Sequence, residues 1–445
     1  MYAPEIETMP RERLQELQGA RLAKLVHYVY ERVPHYRAAF DEAGVVPGSV
    51  RSIADVSRLP ITYKHHLHDN YPLGMFAVER QDLARIHASS GTTGKPTIVG
   101  YTRNDLELFA EVNARCLAAA GAKPGMLFHN AYGYGLFTGG LGLHGGAEKL
   151  GLCVVPVSGG MTERQATLIL DLQPDIIACT PSYGQTLAEE FDRRGIAPDG
   201  LNLRFGILGA EPWTEAIRSD VEAGLGIEAT NIYGLSEIIG PGVANEGVGE
   251  RDGSYIWEDH FYPEILDPQT AEPVPDGREG VLVITTLTKE ALPLIRFWTG
   301  DITTLTREPG ASGRTHARIG MILGRADDML IIRGVNVYPT QIESVLQDVP
   351  QASAHYQLIV TREKTLDAIQ LRLELTQEAF TRFGREVLED GMLAADQRVR
   401  ELCEQVSHRI RETVGIGVEV RLLAPGSAPR SGGGKLRRVV DERRL

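Results

Sequence analysis

Short apolar runs alternate with amphipathic segments of helical periodicity through the middle of the chain, and this alternation limits the fold more than any other feature. The apolar runs are CVVPV, DIIACT, FGILGA and ATNIYG, at 153–157, 175–180, 205–210 and 229–234. The segments between them include ERQATLILDLQ at 163–173 and PSYGQTLAEEFDRRG at 181–195. Strand, helix, strand at this spacing is typical of a parallel sheet with helices packed on its faces. The sequence therefore predicts an α/β fold.

The regions around this alternation predict an N-terminal body, residues 1–326, made of three parts. Residues 1–84 are polar and place apolar side chains at helical spacing, so they predict a helical lead. Residues 85–255 carry the α/β alternation. From 256 to 326, strand-like runs punctuated by Pro and Gly, such as GVLVITTL, predict a small antiparallel sheet or barrel.

A second, small α+β domain is predicted for residues 327–445, after the string GRADD at 324–328. Its pattern is strand, helix and strand, then a long charged helix over roughly 378–413, the run VEVRLL and a basic tail. The fold class is therefore α/β, with parallel α/β sheets and a small antiparallel sheet in the body, followed by a small α+β domain.

Composition and charge argue against several classes of protein. With 46 Lys and Arg against 59 Asp and Glu, the formal charge of −13 disfavours binding to nucleic acid or to an anionic membrane. The 4 cysteines are isolated from one another, so neither a C-x-x-C metal pair nor a dense disulfide framework is predicted. The first residues are acidic and polar, and no run of about 18 apolar residues occurs, which disfavours a signal peptide and a membrane-spanning helix. We therefore expect a cytoplasmic protein.

Glycine is over-represented, with 48 of 445 residues against about 7% on average, and the glycines cluster. The densest cluster is Ser89-Ser90-Gly91-Thr92-Thr93-Gly94-Lys95-Pro96. The backbone N–H groups and hydroxyls of such a loop can close around phosphate groups, and the lysine adds a positive charge. The string departs from the Walker motif because Ser89 stands where the first glycine belongs and Pro96 follows the lysine. It predicts a phosphate-binding loop of another kind.

A second glycine cluster lies among aromatic residues, from Tyr132 to Ala147. Gly140, Gly142 and Gly145 formally satisfy G-x-G-x-x-G, but no strand directly precedes them, as a dinucleotide-binding fingerprint requires. Two interpretations stay open. Either the glycines let the backbone approach a flat apolar ligand, or the aromatic residues form part of a packed core.

Polar residues follow the predicted parallel strands at the edge where open α/β sheets bind ligands. They form two groups, Gly209-Ala210-Glu211-Pro212 and Tyr233-Gly234-Leu235-Ser236-Glu237. An aromatic ring that stacks on a base and a carboxylate that binds Mg²⁺ are components of a nucleoside triphosphate site. Further along, Asp301 follows Gly300 and is placed to accept two hydroxyl groups of a ribose, and Lys435 follows three glycines.

Taken in order, these residues resemble the adenylate-forming superfamily of acyl-CoA synthetases and, within it, the phenylacetate-CoA ligase group. The resemblance covers the chain from about Tyr28 to Asp441. Its matching strings are SSGTTGKPT, AYGYGLFTGGLG, VPVSGGMTERQ, PDIIACTPSY, GAEPWTE, IYGLSE, WEDHFYPEILDP, TLTKEALPLIR, GRADDMLIIRGVNVYPTQIE and RVVD. It implies an aryl-carboxylate ligase that uses ATP, Mg²⁺ and coenzyme A in two half reactions. The acid first attacks the α-phosphate, which gives an acyl adenylate and pyrophosphate, and the thiol of coenzyme A then displaces AMP.

The resemblance also implies roles for individual residues. The residues expected to bind the phosphates are Ser90, Gly91, Thr92, Thr93, Gly94, Lys95 and Lys64. The residues expected around the adenine and the ribose are Gly209, Ala210, Glu211, Pro212, Tyr233, Gly234, Ser236, Asp301 and Arg325. Glu237 is expected to hold Mg²⁺, Lys435 to bridge the acid and the α-phosphate, and Lys95 to assist catalysis. The small domain is expected to be mobile and to turn between the half reactions about a hinge at Asp327.

The acid pocket is expected to hold a flat aromatic acid. Its expected lining is Tyr132, Tyr134, Phe137, Gly140, Ala147, Ile238 and Pro241. Phenylacetate, benzoate, and an aminobenzoate (anthranilate) or hydroxybenzoate all fit such a pocket. Phenylacetate-type members usually carry a tyrosine where this chain has Gly145, and the larger pocket that this suggests favours a substituted benzoate.

One departure from the group and three open points complete the expectations. Many relatives carry a zinc-binding Cys-x-Cys-Gly-Arg-Thr-His segment, but here it is GASGRTH at 310–316, and Gly247 stands in place of a third cysteine. No structural zinc is therefore expected. The acyl group could instead pass to a carrier protein or to an amine or hydroxyl nucleophile, and a regulator that only binds an acyl adenylate is the non-enzyme alternative. A homodimer is expected only by analogy with relatives.

Overall fold

The structure is a computed structural model of the chain and describes most of it. The described residues are 1–89, 96–326, 330–332, 335–337, 339–363, 366–383, 391–394, 396–430 and 438–443. Within these ranges, no helix combines the length and the apolar character needed to cross a membrane.

Residues before the first strand form a mostly helical lead. Its helices are α1 (Pro4–Glu7), α2 (Arg11–Arg32), α3 (Pro34–Glu42) and α4 (Lys64–Asp69). Leu22, Val26 and Val29 of α2 are fully buried in the main hydrophobic core, because they recur at helical spacing on one face. Thr62 pairs in parallel with Phe297 of the β-rich part. The lead therefore packs on the rest of the body.

Among the described residues, a nine-stranded sheet forms the centre of the body and confirms the predicted α/β arrangement. The strands of this region are β1 (Arg85–Ser89), β2 (Thr97–Tyr101), β3 (Leu127–Asn130), β4 (Cys153–Val155), β5 (Ile176–Cys179), β6 (Phe205–Gly209), β7 (Glu228–Leu235), β8 (Gly240–Glu246) and β9 (Ser254–Ile256). The helices are α5 (Arg103–Ala119), α6 (Gly139–Leu150), α7 (Thr162–Leu172), α8 (Pro181–Arg193) and α9 (Glu215–Leu225). Strands β4, β3, β5, β6 and β7 are neighbours in that order and run parallel, and β8 and β9 continue the sheet antiparallel beyond β7. Strands β1 and β2 form a separate antiparallel hairpin.

The central parallel strands β5 and β6 are buried on both faces, which explains why their sequences are continuous apolar runs. Ile176 and Ala178 of β5 enter the core shared with α5 and α6. The residues that alternate with them, Ile177 and Cys179, enter the core shared with α7, α8 and α9. Because the carboxyl ends of β5, β6 and β7 lie side by side, the loops that follow them meet at one edge of the sheet.

The β-rich part that follows is antiparallel, as the sequence predicted. Its strands are β10 (Phe261–Leu266), β11 (Gly280–Thr286), β12 (Phe297–Thr303), β13 (Leu305–Thr306), β14 (Arg318–Ile319) and β15 (Gly324–Arg325). In the described part of the chain, β10, β11, β12 and β15 form a four-stranded sheet, while β13 and β14 extend the large sheet through β9. The pairing of β12 with β15 places Asp301 opposite Arg325.

The chain after residue 329 has a hydrophobic core of its own. Its elements are β16 (Leu330–Ile332), β17 (Val335–Val337), α10 (Pro339–Gln347), β18 (Ala352–Glu363), β19 (Leu366–Leu375), α11 (Gln377–Phe383), α12 (Gln397–Val414), β20 (Glu419–Leu423) and β21 (Val439–Asp441). The described strands β20, β19, β18 and β21 form a sheet in that order, and Ile342 of α10 and Val406 of α12 share its core. A separate core supports a second domain, but the predicted boundary at residue 327 lies outside the described residues and stays a prediction.

The long charged helix predicted over roughly 378–413 is wrong. Helix α11 ends at Phe383 and α12 begins at Gln397, and between them Met392 pairs with a residue of β20. The side chain of Asp396 accepts a hydrogen bond from a backbone N–H in the first turn of α12. This N-cap starts a new helix, so the polar periodicity on either side of it belongs to two helices.

Candidate active site

The first group of candidate residues lies where β6 ends. A Cβ at Gly209 would lie 2.1 Å from the carbonyl oxygen of Ile232, so only glycine fits there. Ala210 follows with a positive φ of 72°. Glu211 Oε1 accepts a hydrogen bond from the backbone N–H of Ser182 at 2.6 Å. The carboxylate therefore lies at the positive N-terminal end of α8, which stabilises an anion.

The second group lies at the end of β7 and joins the large sheet to the β-rich part. Tyr233 OH donates to Asp301 Oδ2 at 2.6 Å, and Arg325 Nη1 donates to Asp301 Oδ1 at 2.8 Å. Tyr233 and Asp301 are each 8% exposed. Burial raises the pKa of Tyr233 well above its ordinary value, and the charge of Asp301 adds to this, so the phenol remains a donor. Three residues predicted to bind the nucleotide thus form one hydrogen-bonded group.

Glu237 lies at the centre of a third group and is buried. Its Oε1 accepts a hydrogen bond from Ser89 Oγ at 3.3 Å and lies 3.6 Å from Lys64 Nζ. Its backbone carbonyl accepts a hydrogen bond from Lys289 Nζ at 3.1 Å. Mg²⁺ prefers carboxylate and other oxygen ligands, so the oxygens of Glu237 and Ser89 fit a magnesium site.

Three further candidates lie in or next to the loops after β6 and β7. A Cβ at Gly234 would lie 2.0 Å from the carbonyl oxygen of Gly240, so glycine is required there as well. Ser236 Oγ lies 3.2 Å from Thr138 Oγ1, which links the loop after β7 to the segment before α6. Pro212 is exposed in the loop after β6.

The predicted phosphate-binding loop connects two paired strands. Ser89, the last residue of β1, pairs with Thr97, the first residue of β2. Because Ser89 also contacts Glu237, this connection starts beside the candidate magnesium site. The predicted phosphate-binding, catalytic and hinge residues that lie outside the described residues are Ser90, Gly91, Thr92, Thr93, Gly94, Lys95, Asp327 and Lys435.

Through Tyr132, the aromatic loop before α6 approaches the residues that are predicted to bind the nucleotide. This side chain is buried, and burial together with nearby acidic groups, Glu211 among them, raises its pKa well above the ordinary value. Tyr134 OH accepts a hydrogen bond from Asn130 Nδ2 at 2.9 Å and lies 3.1 Å from His144 Nδ1. Tyr134 is therefore tied both to the end of β3 and to α6.

The other residues predicted to line the acid pocket occupy different environments. Phe137 is 58% exposed. A Cβ at Gly140 would lie 2.6 Å from a backbone oxygen of the aromatic loop, so glycine permits this close approach. Ala147 and Ile238 are fully buried in the main hydrophobic core. Pro241 is partly buried in β8. The predicted lining as a set stays a prediction.

The small domain approaches the site beside Glu211. Tyr356 OH donates to Glu343 Oε2 at 3.0 Å, and Arg438 Nη1 donates to Glu343 Oε1 at 2.7 Å. Burial raises the pKa of Glu343; Arg438 opposes this shift and the negative charge of Glu211 adds to it. Glu211 of the body is therefore within electrostatic reach of these small-domain residues.

Sequence reasoning assigned no role to Lys289, although the structure places it beside Glu237. Lys289 is 2% exposed, and its Nζ lies 5.2 Å from the ring centroid of Tyr101. Burial lowers its pKa to about 8, which the charges of Asp105 and Glu237 oppose. Asp105 also accepts hydrogen bonds from the two backbone N–H groups that follow Lys289 and so fixes this segment. The available signal was a lysine shortly before the apolar run ALPLI in the string TLTKEALPLIR.

The segment compared with zinc-binding relatives packs against the N-terminal helix. Arg314 Nε donates to Glu7 Oε2 at 2.8 Å, and both side chains are buried. A Cβ at Gly310 would lie 1.5 Å from Tyr255 OH, so a cysteine fits there only if the tyrosine moves. Within the ranges that the structure describes, no three His, Cys, Asp or Glu residues are grouped closely enough to hold a metal ion.

Comparison with known proteins establishes the family of this chain. The AMP-binding enzyme family matches residues 30–287, and the AMP-binding enzyme C-terminal domain matches residues 334–443. The chain belongs to the AMP-binding enzymes, which form adenylates, and within them to the phenylacetate-CoA ligase-like group.

Individual relatives support this assignment. A phenylacetate-coenzyme A ligase of Thermus thermophilus is 64% identical over 100% of both chains, and one of Escherichia coli is 51% identical over 99% of this chain and 97% of the other. The crystal structure of 2-hydroxyisobutyryl-CoA ligase in its postadenylation state matches with a TM-score of 0.89 at 28% identity, over 99% of this chain and 92% of that chain. The same ligase matches with TM-scores of 0.71 in its thioesterification state and 0.72 in an open conformation. The predicted fold class and the predicted enzyme class, an AMP-forming acid–CoA ligase that uses ATP, Mg²⁺ and coenzyme A, are confirmed.

Proposed function

We propose that this protein joins phenylacetate to coenzyme A through a phenylacetyl adenylate, using ATP and releasing AMP and pyrophosphate. The observation that carries the proposal is the 64% identity, over the full length of both chains, to a phenylacetate-coenzyme A ligase. The relatives give no corresponding support for benzoate or anthranilate.

The substituted benzoate that the sequence favoured also loses its argument from Gly145. A Cβ at Gly145 would lie 3.6 Å from Ala110 Cβ of α5. The Cβ of a side chain at this position would contact α5, and it would have no other contact within 4 Å among the described residues. The missing tyrosine is therefore weak support for an enlarged acid pocket.

The first half reaction is a nucleotidyl transfer between anions. A carboxylate oxygen of the acid attacks the α-phosphorus of ATP, and the bond from that phosphorus to the oxygen bridging to the β-phosphorus breaks. Such a reaction depends mainly on positioning and on neutralising charge. Lys64 Nζ, 3.6 Å from Glu237, supplies one positive charge beside the phosphate side, and Lys95 and Lys435 are proposed to supply two more. Glu237 and Ser89 would hold Mg²⁺, which neutralises phosphate charge when bound.

The nucleoside is proposed to bind along Glu211, Tyr233 and Asp301. An ionised carboxylate offers about four acceptor positions on its two oxygens. Tyr233 donates to one oxygen of Asp301 and Arg325 donates to the other, and the two ribose hydroxyls are proposed to bind to the same carboxylate. The same two donors fix the orientation of the carboxylate, so little ordering remains to be done when ATP binds.

In the second half reaction the thiol of coenzyme A attacks the acyl carbonyl, and AMP leaves with the electrons of the acyl–oxygen bond. The small domain is proposed to turn about Asp327 between the two steps. The names of the relatives support coenzyme A as the acceptor. A carrier protein, an amine or a hydroxyl nucleophile would appear as a different product in the test below. The homodimer and the cytoplasmic location predicted from the sequence stay predictions.

The test is acid-dependent exchange of labelled pyrophosphate into ATP, followed by mass spectrometry of the product formed with coenzyme A. Phenylacetate is expected to give the highest kcat/KM among phenylacetate, benzoate, 2-aminobenzoate and the hydroxybenzoates. Phenylacetyl-CoA and AMP are expected in equal amounts. A higher kcat/KM for a benzoate would refute the proposed acid, and exchange without thioester formation would refute the proposed acceptor. If no acid supports exchange, the result would favour the alternative of a regulator that only binds an acyl adenylate.

A further inference from the structure

Charged side chains join helix α8 of the body to the small domain. Glu189, near the C-terminal end of α8, lies 2.7 Å from His355 Nε2 and accepts a hydrogen bond from Arg430 Nε at 3.3 Å. Because a carboxylate only accepts, Nε2 is the donor in the contact with His355. The side chain of Glu189 is 48% exposed, so the cluster lies at the rim of the contact between the two parts. Beside it, Ala354 of β18 packs against the core of α7, α8 and α9.

The two small-domain partners of Glu189, His355 and Arg430, are fixed by contacts and burial within the small domain. Arg430 Nη2 and Nη1 donate to the two carboxylate oxygens of Glu374 at 2.8 and 2.9 Å, and Glu374 is 2% exposed. A bidentate pair of this kind fixes the guanidinium plane, which leaves Nε directed at Glu189. His355 is 5% exposed on β18. Burial raises the pKa of Glu189, but the bonds from His355 and Arg430 lower it below its ordinary value overall, so the carboxylate is charged at neutral pH.

The same helix carries a contact of the candidate active site at its other end. The backbone N–H of Ser182, in the first turn of α8, is bound by Glu211. Glu189 follows seven residues later, which is about 10 Å along a helix. A single rigid element therefore connects the loop after β6 with the small domain.

The arrangement of the body and the small domain is most similar to one of three conformational states of 2-hydroxyisobutyryl-CoA ligase. The TM-score to 2-hydroxyisobutyryl-CoA ligase is 0.89 in the postadenylation state but 0.71 in the thioesterification state and 0.72 in the open conformation. The same relative is compared each time, so the scores differ through its conformation. The contacts of Glu189 thus belong to an arrangement like the postadenylation state.

We propose that this postadenylation-like arrangement is also the adenylating arrangement, and that Glu189 is a positioning residue for it: the pairing of Glu189 with His355 and Arg430 favours this arrangement and must break before the thioester forms. This inference rests on the proposed two-step function. Weakening the pairing is expected to lower the population of the adenylating arrangement and to leave the second half reaction intact. A half-exposed pair of charge-assisted bonds makes the expected change in the equilibrium about threefold to tenfold.

The test compares Glu189→Gln with Glu190→Gln in the full-length enzyme. Glu190 is adjacent on α8 but accepts its hydrogen bonds from Arg193 and Arg194 of the same helix region, so it is a matched control. In Glu189→Gln, phenylacetate-dependent pyrophosphate exchange is expected to fall about threefold to tenfold, while thioester formation from supplied phenylacetyl adenylate is not reduced. His355→Gln is expected to have the same effect, and the double variant is expected to add little to either single variant.

A distance measurement makes the test independent of activity. One label is placed on Cys153 of the body, which is exposed. The other is placed on a cysteine introduced in the small domain by His408→Cys, at a position whose native side chain is 70% exposed. Cys403, which is partly exposed, is replaced by alanine so that it is not labelled. Glu189→Gln is expected to shift the distances between the labels away from those of the unsubstituted labelled protein. Equal half reactions and equal distances in Glu189→Gln and Glu190→Gln would overturn the inference. If the unsubstituted enzyme lacks phenylacetate-dependent exchange, the proposed function fails, and the distances alone then decide whether Glu189 positions the domain.

Discussion

Replacing Asp301 with asparagine is expected to weaken ATP binding while leaving the fold intact. The carboxylate of Asp301 accepts from Tyr233 OH at 2.6 Å and from Arg325 Nη1 at 2.8 Å. An asparagine of the same shape offers only one acceptor oxygen, so one of these donors would face an N–H group. The position would also lose the charge that would strengthen the proposed hydrogen bonds to the ribose.

The magnitude follows from the number of bonds affected. A hydrogen bond to a charged group contributes about 1.5–3 kcal/mol, and losing the equivalent of one such bond weakens binding roughly 10- to 150-fold. The dissociation constant of ATP, measured by titration calorimetry in the presence of Mg²⁺, should rise by this factor, and the KM for ATP in pyrophosphate exchange should follow. Asp276→Asn is the control, because this carboxylate is 44% exposed and pairs with Arg307 at the surface. A dissociation constant within twofold of the unsubstituted value, in a folded Asp301→Asn protein, would refute the reasoning.

Three other substitutions test separate parts of the structure. Lys435→Ala is expected to abolish pyrophosphate exchange and to retain much of the thioester formation from supplied acyl adenylate; an equal loss of both would contradict its role. Gly209→Ala places a Cβ 2.1 Å from a carbonyl oxygen and should lower the free energy of unfolding, measured by denaturant titration, by about 1–3 kcal/mol. Gly48→Ala, with no atom within 4 Å of its Cβ, should leave this free energy unchanged. Glu7→Gln removes the charge that pairs with the buried Arg314 and should lower the free energy of unfolding by about 3 kcal/mol. Glu5→Gln, at an exposed position, should change it little. Equal unfolding midpoints for the two variants would disprove this.

The large sheet was predictable because its physical signal is local. A strand buried on both faces must be apolar at every position, and DIIACT meets this requirement for β5. The residues at the strand ends were predictable for a related reason, since parallel strands bring their carboxyl ends to one edge. That rule correctly brought Glu211 and Tyr233 to the same edge of the sheet.

The contacts that sequence reasoning missed join residues far apart in the chain. Glu189 and His355 are separated by 166 positions, and no local sequence pattern marks either residue. The break between α11 and α12 was missed because polar helical periodicity is similar on both sides of the cap at Asp396. The position of Lys289 beside the candidate site was missed because its contact with the backbone of Glu237 is not encoded in any local pattern.

The alternation of β5 between two cores has a consequence for how the chain can change over evolution. If one residue were inserted after Ile176 in β5, Ile177, Ala178 and Cys179 would each turn to the opposite face, and the end of the strand would shift by about 3.3 Å. Homologues are therefore expected to vary in length between the strands and to keep the length of the strands themselves, so that the loop residues can diversify on an edge of constant geometry.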